Sequence, residues 1–260
     1  MAFPIYLRIG SIALHPHLVF ETLAYFVGFR LYLWQRRKYG DPVPSHLRWW
    51  AISSAAAGGA LGSKILYWLE TPALTLAKWN DWTYMLGGKT VVGGLLGGLI
   101  GVELTKRIVG ETRSTGDLFA IPLAAAMAIG RIGCFLTGLS DQTYGLPTRL
   151  PWGIDFGDGI PRHPTQLYEI LFLTGVIFVL ARMRSRLEQS GDLFKAFMIL
   201  YLAWRLLIDS FKPEVQFAGL GSIRWACVLG LLYYGRDILR IMRRVTQRAP
   251  SSDIPQSKVQ

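Results

Sequence analysis

Seven apolar runs, each about as long as one bilayer crossing, follow one another along the 260 residues and are separated by short charged segments. A membrane-spanning helix needs about 20 mostly apolar residues, because in hydrocarbon every backbone N–H and C=O must find its partner within the helix. The runs fall at roughly 17–34, 49–69, 86–104, 117–138, 165–182, 194–211 and 219–239. Only 17% of the residues are charged, against about 25% in an average soluble domain. The pattern predicts an all-α polytopic membrane protein of about seven transmembrane helices, with a small extracytoplasmic segment at 139–163 that is dense in Gly, Pro and Asp. Residues 1–245 are expected to form one seven-helix membrane domain. Residues 246–260, polar and holding Pro and Ser, are expected to be a disordered cytoplasmic tail. The chain does not open on a basic segment followed by a small-residue cleavage site, so no removable signal peptide is expected.

Basic residues orient the spans, since short cytoplasmic loops carry an excess of Lys and Arg. Arg36, Arg37, Lys38 and Arg48 follow the first run, and Lys106, Arg107 and Arg113 follow the third. Arg182, Arg184, Arg186 and Lys195 follow the fifth, and Arg236, Arg240, Arg243, Arg244 and Arg248 close the seventh. With seven spans these groups share one side, which places the N-terminus outside, the C-terminus in the cytoplasm and 139–163 on the outer face. The net charge of +11 is then a cytoplasmic excess that also suits anionic lipid. Nucleic acid is not an expected partner, because the basic residues sit in short loops between spans. Two cysteines, Cys134 and Cys227, both within apolar runs, support neither a disulfide framework nor a zinc site. Cys134 reads as packing in a small-residue span rather than as a nucleophile. Gly93, Gly97 and Gly101 recur every four residues in the third run, which reads as a close helix-packing face.

Charges inside the runs carry more information. An ionisable group at mid-span costs about 2.5–3.5 kcal/mol on insertion scales and normally faces a cavity or a partner. Lys64, Glu103, Arg131, Glu169, Arg205, Asp209 and Arg224 all occupy such positions. A guanidinium cannot shed its charge, so Arg131 and Arg205 each need an anion or a ring of acceptors. Asp209 is one helical turn from Arg205, which allows a structural pair. That pair leaves Arg131 and Lys64 without an acid unless Glu103 or Glu169 serves. The alternative is a bound phosphate, which two arginines hold well and which in a bilayer belongs to a lipid headgroup. A second cluster, Arg162, His163, Gln166, Tyr168 and Glu169, stands where the outer segment meets the fifth run behind Pro164. Interfacial anchoring and a polar site are both open readings of it.

The stretches GRIGCF at 130–135, with Gly138 and Gly145 following, RHPTQLYE at 162–169, GGLLGG at 93–98, YLAWRLLIDSFKPE at 201–214 and IGSIALHPH at 9–17 together resemble the prolipoprotein diacylglyceryl transferase family. The resemblance implies a seven-span enzyme of the bacterial inner (plasma) membrane that moves the diacylglyceryl group of phosphatidylglycerol to the lipobox cysteine thiol of a prolipoprotein signal peptide. No metal or cofactor is implied. Arg131 and Arg205 are expected to hold the headgroup, with Tyr201 one turn before Arg205. Catalysis is thus expected of Arg131, Arg205, Tyr201 and His163, and substrate binding of His17, Lys64, Gln166, Tyr168, Glu169 and Asp209. The chain departs from the family pattern at Val92, where a histidine is typical, and at Cys134, where asparagine is common. His17 aligns with a family tyrosine, Asp209 with a glutamate and Lys212 with an arginine. The acidic residue often found after the GR motif has Asp141 nearby. With no histidine at 92, His17, His163 or Tyr201 is left to assist the thiol, whose free pKa is about 8.5. Two other readings stay open: a lipid-dependent transferase with a different acceptor, and a non-catalytic lipid-binding membrane protein.

Overall fold

The computed structural model describes residues 3–187, 189–212, 216–217 and 219–247. A hairpin of β1 (Leu7–Ile9) and β2 (Ile12–Leu14) leads into α1 (Pro16–Tyr39) and α2 (Ser45–Glu70). Two short helices, α3 (Pro72–Ala77) and α4 (Trp82–Leu86), precede α5 (Val91–Val109) and α6 (Ala120–Thr137). A 3-10 turn at Gly138–Asp141 and the hairpin of β3 (Ile154–Asp155) and β4 (Pro161–Arg162) make up the segment before α7 (Thr165–Met183). Then come α8 (Asp192–Ile208), a 3-10 turn at Asp209–Phe211, the hairpin of β5 (Gln216–Phe217) and β6 (Leu220–Gly221), α9 (Ser222–Tyr233) and α10 (Gly235–Gln247).

Local chemistry sets the ends of the helices. Thr90 caps α5 by accepting the Gly93 N–H at 3.3 Å. Lys106 and Arg107 occupy its last turn, where cations favour the carbonyl end of the helix dipole. Gly110, at φ 70° in the left-handed helical region, stops it, and Gly138, also at positive φ (72°), ends α6. α1 lies along α6, α2 along α5, and α6 along α7. The α2–α5 contact is a glycine seam: a methyl built on Gly97 would stand 2.8 Å from Gly62 Cα, and one on Gly62 would stand 2.7 Å from Gly97 Cα. The backbones therefore touch, as the four-residue repeat predicts.

At one end of the helices the basic residues are tied down. Arg48 donates to Asp41 and, at 2.7 Å, to the Thr115 carbonyl. Arg113 reaches the Pro42 carbonyl at 2.6 Å. Arg240 and Arg244 reach the buried Asp192 at 2.6 and 3.2 Å. The C-terminal ends of α1, α5 and α10 and the N-terminal ends of α2 and α8 thus meet there, and His17, Asp141 and Thr165 belong to the opposite end. Large apolar side chains face outward along the bundle, among them Phe26, Leu61, Ile100, Leu171 and Leu229.

Two sequence expectations change. The run at 219–239 is not one helix: the chain turns at Tyr234, between α9 and α10. Tyr234 is buried there, and the buried Asp192 draws Arg240 and Arg244 of α10 onto the start of α8. The run at 86–104 becomes helical only from Val91, because the carbonyls of Leu86, Gly87 and Gly88 turn to accept the Lys64 ammonium. By length and composition, two helical stretches are apolar enough to cross a membrane, Ala120–Asp141 and Thr165–Met183. The tail expected beyond Gln247 lies outside the described residues.

Candidate functional site

Helices α6, α7 and α8 each bring one charged or hydroxyl-bearing face to a common junction. Glu169, one turn into α7, is at its centre and is almost fully buried. Arg131 of α6 grips it with two prongs, Nε to Oε2 at 2.8 Å and Nη2 to Oε1 at 3.2 Å. Arg205 of α8 approaches the same carboxylate, Nη1 to Oε2 at 3.8 Å. Tyr201, one turn earlier on α8, donates its hydroxyl to Glu169 Oε1 at 2.8 Å. Arg205 also forks onto Asp209, Nε to Oδ2 at 3.0 Å and Nη2 to Oδ1 at 2.8 Å. Lys212 closes the row at 3.3 Å from Asp209 Oδ1.

The spacing of four between Arg205 and Asp209 makes their pairing local. The remainder is tertiary, since residues 131, 169 and 205 share no helix. Among the described residues three cations, Arg131, Arg205 and Lys212, face two carboxylates, Glu169 and Asp209, which leaves one positive charge. Burial magnifies that excess, because water is not there to screen it. Each arginine has a two-pronged acid of its own, Arg131 with Glu169 and Arg205 with Asp209, and the 3.8 Å approach of Arg205 to Glu169 joins the two pairs.

A second group adjoins the first at the N-terminal end of α1. Arg131 Nη1 lies 3.9 Å from Cys134 Sγ. The Sγ of Cys134, a ring nitrogen of His17 and a carboxylate oxygen of Asp141 all lie within 4.8 Å of one another. His17 Nδ1 is 2.9 Å from Asp141 Oδ1, and its Nε2 is 3.4 Å from Glu21 Oε2. Thr143 donates to Asp141 Oδ2 at 2.6 Å and accepts from Gln166 Nε2 at 3.2 Å. Gln166 is buried, and its Oε1 has no donor among the described residues.

The third group stands apart. His163 Nδ1 and Trp152 Nε1 meet the Tyr168 hydroxyl at 3.2 and 2.7 Å. Trp152 and Tyr168 line a hollow of roughly 600 Å³ with Pro151, Pro164, Leu167 and Leu171. Asp158 binds Arg162 at 2.6 Å on the nearby hairpin, and the Arg162 guanidinium holds the Asp158 carboxyl below the usual carboxylate range.

Of the residues singled out in the sequence, the fold therefore joins Arg131, Arg205, Tyr201, Glu169 and Asp209 in one junction, with His17 and Gln166 beside it. His163 and Tyr168 pair with each other, and among the described residues no hydrogen bond or ion pair links them to the arginines. Lys64 is held by backbone carbonyls between α2 and α5, away from the junction. Val92 is fully buried in the apolar core, so no polar group stands in for a histidine there. Cys134 is buried as expected, but its neighbours are Arg131 and His17 rather than inert packing. Glu21 and Thr143 went unread in the sequence. The spacing of four between His17 and Glu21 was the available signal for one of them; Thr143 had none.

The model of the family described as prolipoprotein diacylglyceryl transferase matches residues 4–242. The chain belongs to the prolipoprotein diacylglyceryl transferase family. Its relatives include proteins named phosphatidylglycerol–prolipoprotein diacylglyceryl transferase from several bacteria. That of Bordetella parapertussis is 33% identical over 235 residues, covering 84% of this chain and 85% of the relative. That of Nitratidesulfovibrio vulgaris is 32% identical over 222 residues, covering 81% and 78%. That of Geobacter sulfurreducens is 32% identical over 235 residues, covering 82% and 84%. The chain is thus a mostly helical member of a membrane-associated family. The matched range contains all three polar groups.

Proposed function

We propose that this protein transfers the diacylglyceryl group of phosphatidylglycerol to the cysteine thiol of a prolipoprotein, in the inner membrane of a bacterium. In this reading the seven long helical stretches cross the bilayer, the last as α9 with α10. The N-terminus is outside and the C-terminus cytoplasmic, and residues 1–245 act as one membrane domain. The basic end of the bundle then faces the cytoplasm, and the outward apolar side chains face lipid.

One observation carries the proposal: two buried arginine–carboxylate pairs lie side by side and, with Lys212, make a junction that among the described residues has one positive charge to spare. A phosphodiester headgroup has one negative charge and oxygens that suit arginine. Its arrival neutralises the junction. The unpartnered Gln166 Oε1 is an acceptor for a headgroup hydroxyl, which a glycerol headgroup supplies. With the phosphate held by Arg131 and Arg205, the acceptor sulfur attacks the glyceryl carbon that bears the phosphoester oxygen. The C–S bond forms as the C–O bond breaks, the electron pair leaves with glycerol phosphate, and the thiol proton is released. Charge grows on the departing phosphate during this step, which is where fixed cations lower the barrier most. Tyr201 holds Glu169 in place from the side.

The test is direct. Purified protein, phosphatidylglycerol and a lipobox peptide are expected to release glycerol phosphate and to yield a thioether-modified peptide. Release of glycerol phosphate without peptide modification would favour a different acceptor, the reading that the departures at Val92 and Cys134 leave open. Lipid binding without turnover would overturn the transferase proposal.

A further inference from the structure

The headgroup grip proposed above rests on Arg131 and Arg205, and the donor set of His17, Cys134 and Asp141 beside them points to a further role. It offers one imidazole nitrogen, one sulfur and one carboxylate oxygen, all within 4.8 Å of one another and drawn from three places in the chain: the first turn of α1, the end of α6 and the 3-10 turn after it. Imidazole, thiolate and carboxylate are the ligands that a zinc-type cation takes, with bonds of about 2.0–2.3 Å; a tetrahedron of such bonds separates its corners by roughly 3.3–3.8 Å. The observed spacings, 2.9 Å for His17 Nδ1 to Asp141 Oδ1 and at most 4.8 Å for the rest, lie within small side-chain adjustments of that geometry.

The surroundings of the three ligands carry the argument further. A metal-bound histidine ordinarily hands its other ring N–H to a carboxylate, and ligating groups are themselves hydrogen-bonded. Here the far nitrogen of His17, Nε2, faces Glu21 Oε2 at 3.4 Å. The far oxygen of Asp141, Oδ2, accepts from Thr143 at 2.6 Å. The sulfur of Cys134 lies 3.9 Å from Arg131 Nη1, an N–H donor suited to a thiolate. Each ligand thus has its own outer partner, and a cation takes the place of the proton that His17 Nδ1 and Asp141 Oδ1 now share at 2.9 Å. Arg131 is itself paired with Glu169 at 2.8 Å, and the site's own thiolate and carboxylate match the two positive charges of a divalent cation.

We propose that His17, Cys134 and Asp141 form a three-ligand site for a zinc-type divalent cation, next to the arginine junction. Three protein ligands leave a fourth position open, as in catalytic rather than structural zinc sites. An incoming thiol takes that position by losing its proton to water and binding as the thiolate. This last consequence rests on the transferase reading; cation binding does not.

Cobalt(II) added to chelator-treated, full-length protein in detergent tests the site. One equivalent should bind and produce a sulfur-to-cobalt charge-transfer absorption, and zinc(II) should displace it. Cys134→Ser should abolish the absorption, and Asp141→Asn should weaken binding by about 10-fold or more. Absence of the absorption in the unaltered protein overturns the site whatever the variants do, and so does its persistence in Cys134→Ser. Lipobox peptide added to the cobalt form should change the absorption as a second sulfur binds; no change removes the thiol from the fourth position. Full turnover in protein that binds no cobalt would overturn the site and leave the transferase reading standing. Cobalt binding without turnover would do the reverse.

Discussion

The α2–α5 seam and the junction of α6, α7 and α8 are both places where helices meet inside the bundle, and they are built from opposite materials. In the seam there is no side chain to speak of: Gly58, Gly62, Gly93, Gly97 and Gly101 let the two backbones touch. At the junction five ionisable side chains and a tyrosine hydroxyl fill the space: Arg205 and Asp209 pair locally, and Arg131 and Glu169 pair only across helices. The seam tolerates no added atom because it is already in contact. The junction tolerates no deleted charge, because the partner left behind would be buried and unpaired. One region joins helices through bare backbone; the other joins them through paired charges.

The largest expected effect comes from breaking the junction. Arg131→Ala strands Glu169 and removes a phosphate ligand, so glycerol phosphate release should fall by at least about 100-fold. Loss of one partner from a buried pair typically costs about 3–5 kcal/mol of stability as well. Arg131→Lys keeps the charge but not the two-pronged grip, and should recover part of the stability and little of the activity. Turnover within about tenfold of the unaltered protein for Arg131→Ala would remove the junction from the reaction.

Next in size is the seam. Gly97→Leu drives a side chain into the α2 backbone, where even a methyl stands 2.8 Å from Gly62 Cα. Overpacking of this kind costs about 1–3 kcal/mol or more, and thermal unfolding in detergent should show it. Gly130→Ala sharpens the contrast: nothing lies within 4 Å of the added methyl, so its unfolding midpoint should match that of the unaltered protein. Equal losses from the two substitutions would mean that the seam is not a backbone contact.

Tyr201→Phe removes a 2.8 Å hydrogen bond to a carboxylate and leaves every charge in place. Hydrogen bonds to charged groups contribute about 1.5–3 kcal/mol, so turnover should fall by about 10-fold, well short of the arginine variants. The smallest effect belongs to the hairpin outside both regions. Arg162 holds the Asp158 carboxyl below its ordinary range, so the folded state binds that proton less readily than the unfolded chain. Its contribution is therefore present above the ordinary carboxylate range and lost as the pH falls through the lowered value. Limited proteolysis between β3 and β4 should quicken on acidification, and Asp158→Asn should be fast at every pH.

The seam could be read directly, since a repeat of four places glycines on one helical face whatever they touch. Helix ends were legible to within a few residues for the same local reason. The break at Tyr234 was not read, although the polar Gly235, Arg236 and Asp237 follow it directly; the docking of α10 depends on Asp192, some forty residues earlier in the chain. Arg131 and Arg205 were legible as charges needing partners. That Arg131 takes Glu169 rather than Glu103 was not, and neither was the company kept by Cys134. The short apolar context of Cys134 looked inert, while its polar neighbours come from residues 17 and 141.

Hydropathy, the basic loops and the family motifs settled by themselves that this is a mostly helical protein of a membrane-associated transferase family, because each of those signals is carried by residues close together in the chain. Only the packing of α6 against α7 and α8, and of α1 against α6, decided which charges share a partner and which donors converge. Electrostatic pairing and ligand geometry depend on distances of a few ångströms between residues tens of positions apart, and no spacing along one helix encodes them.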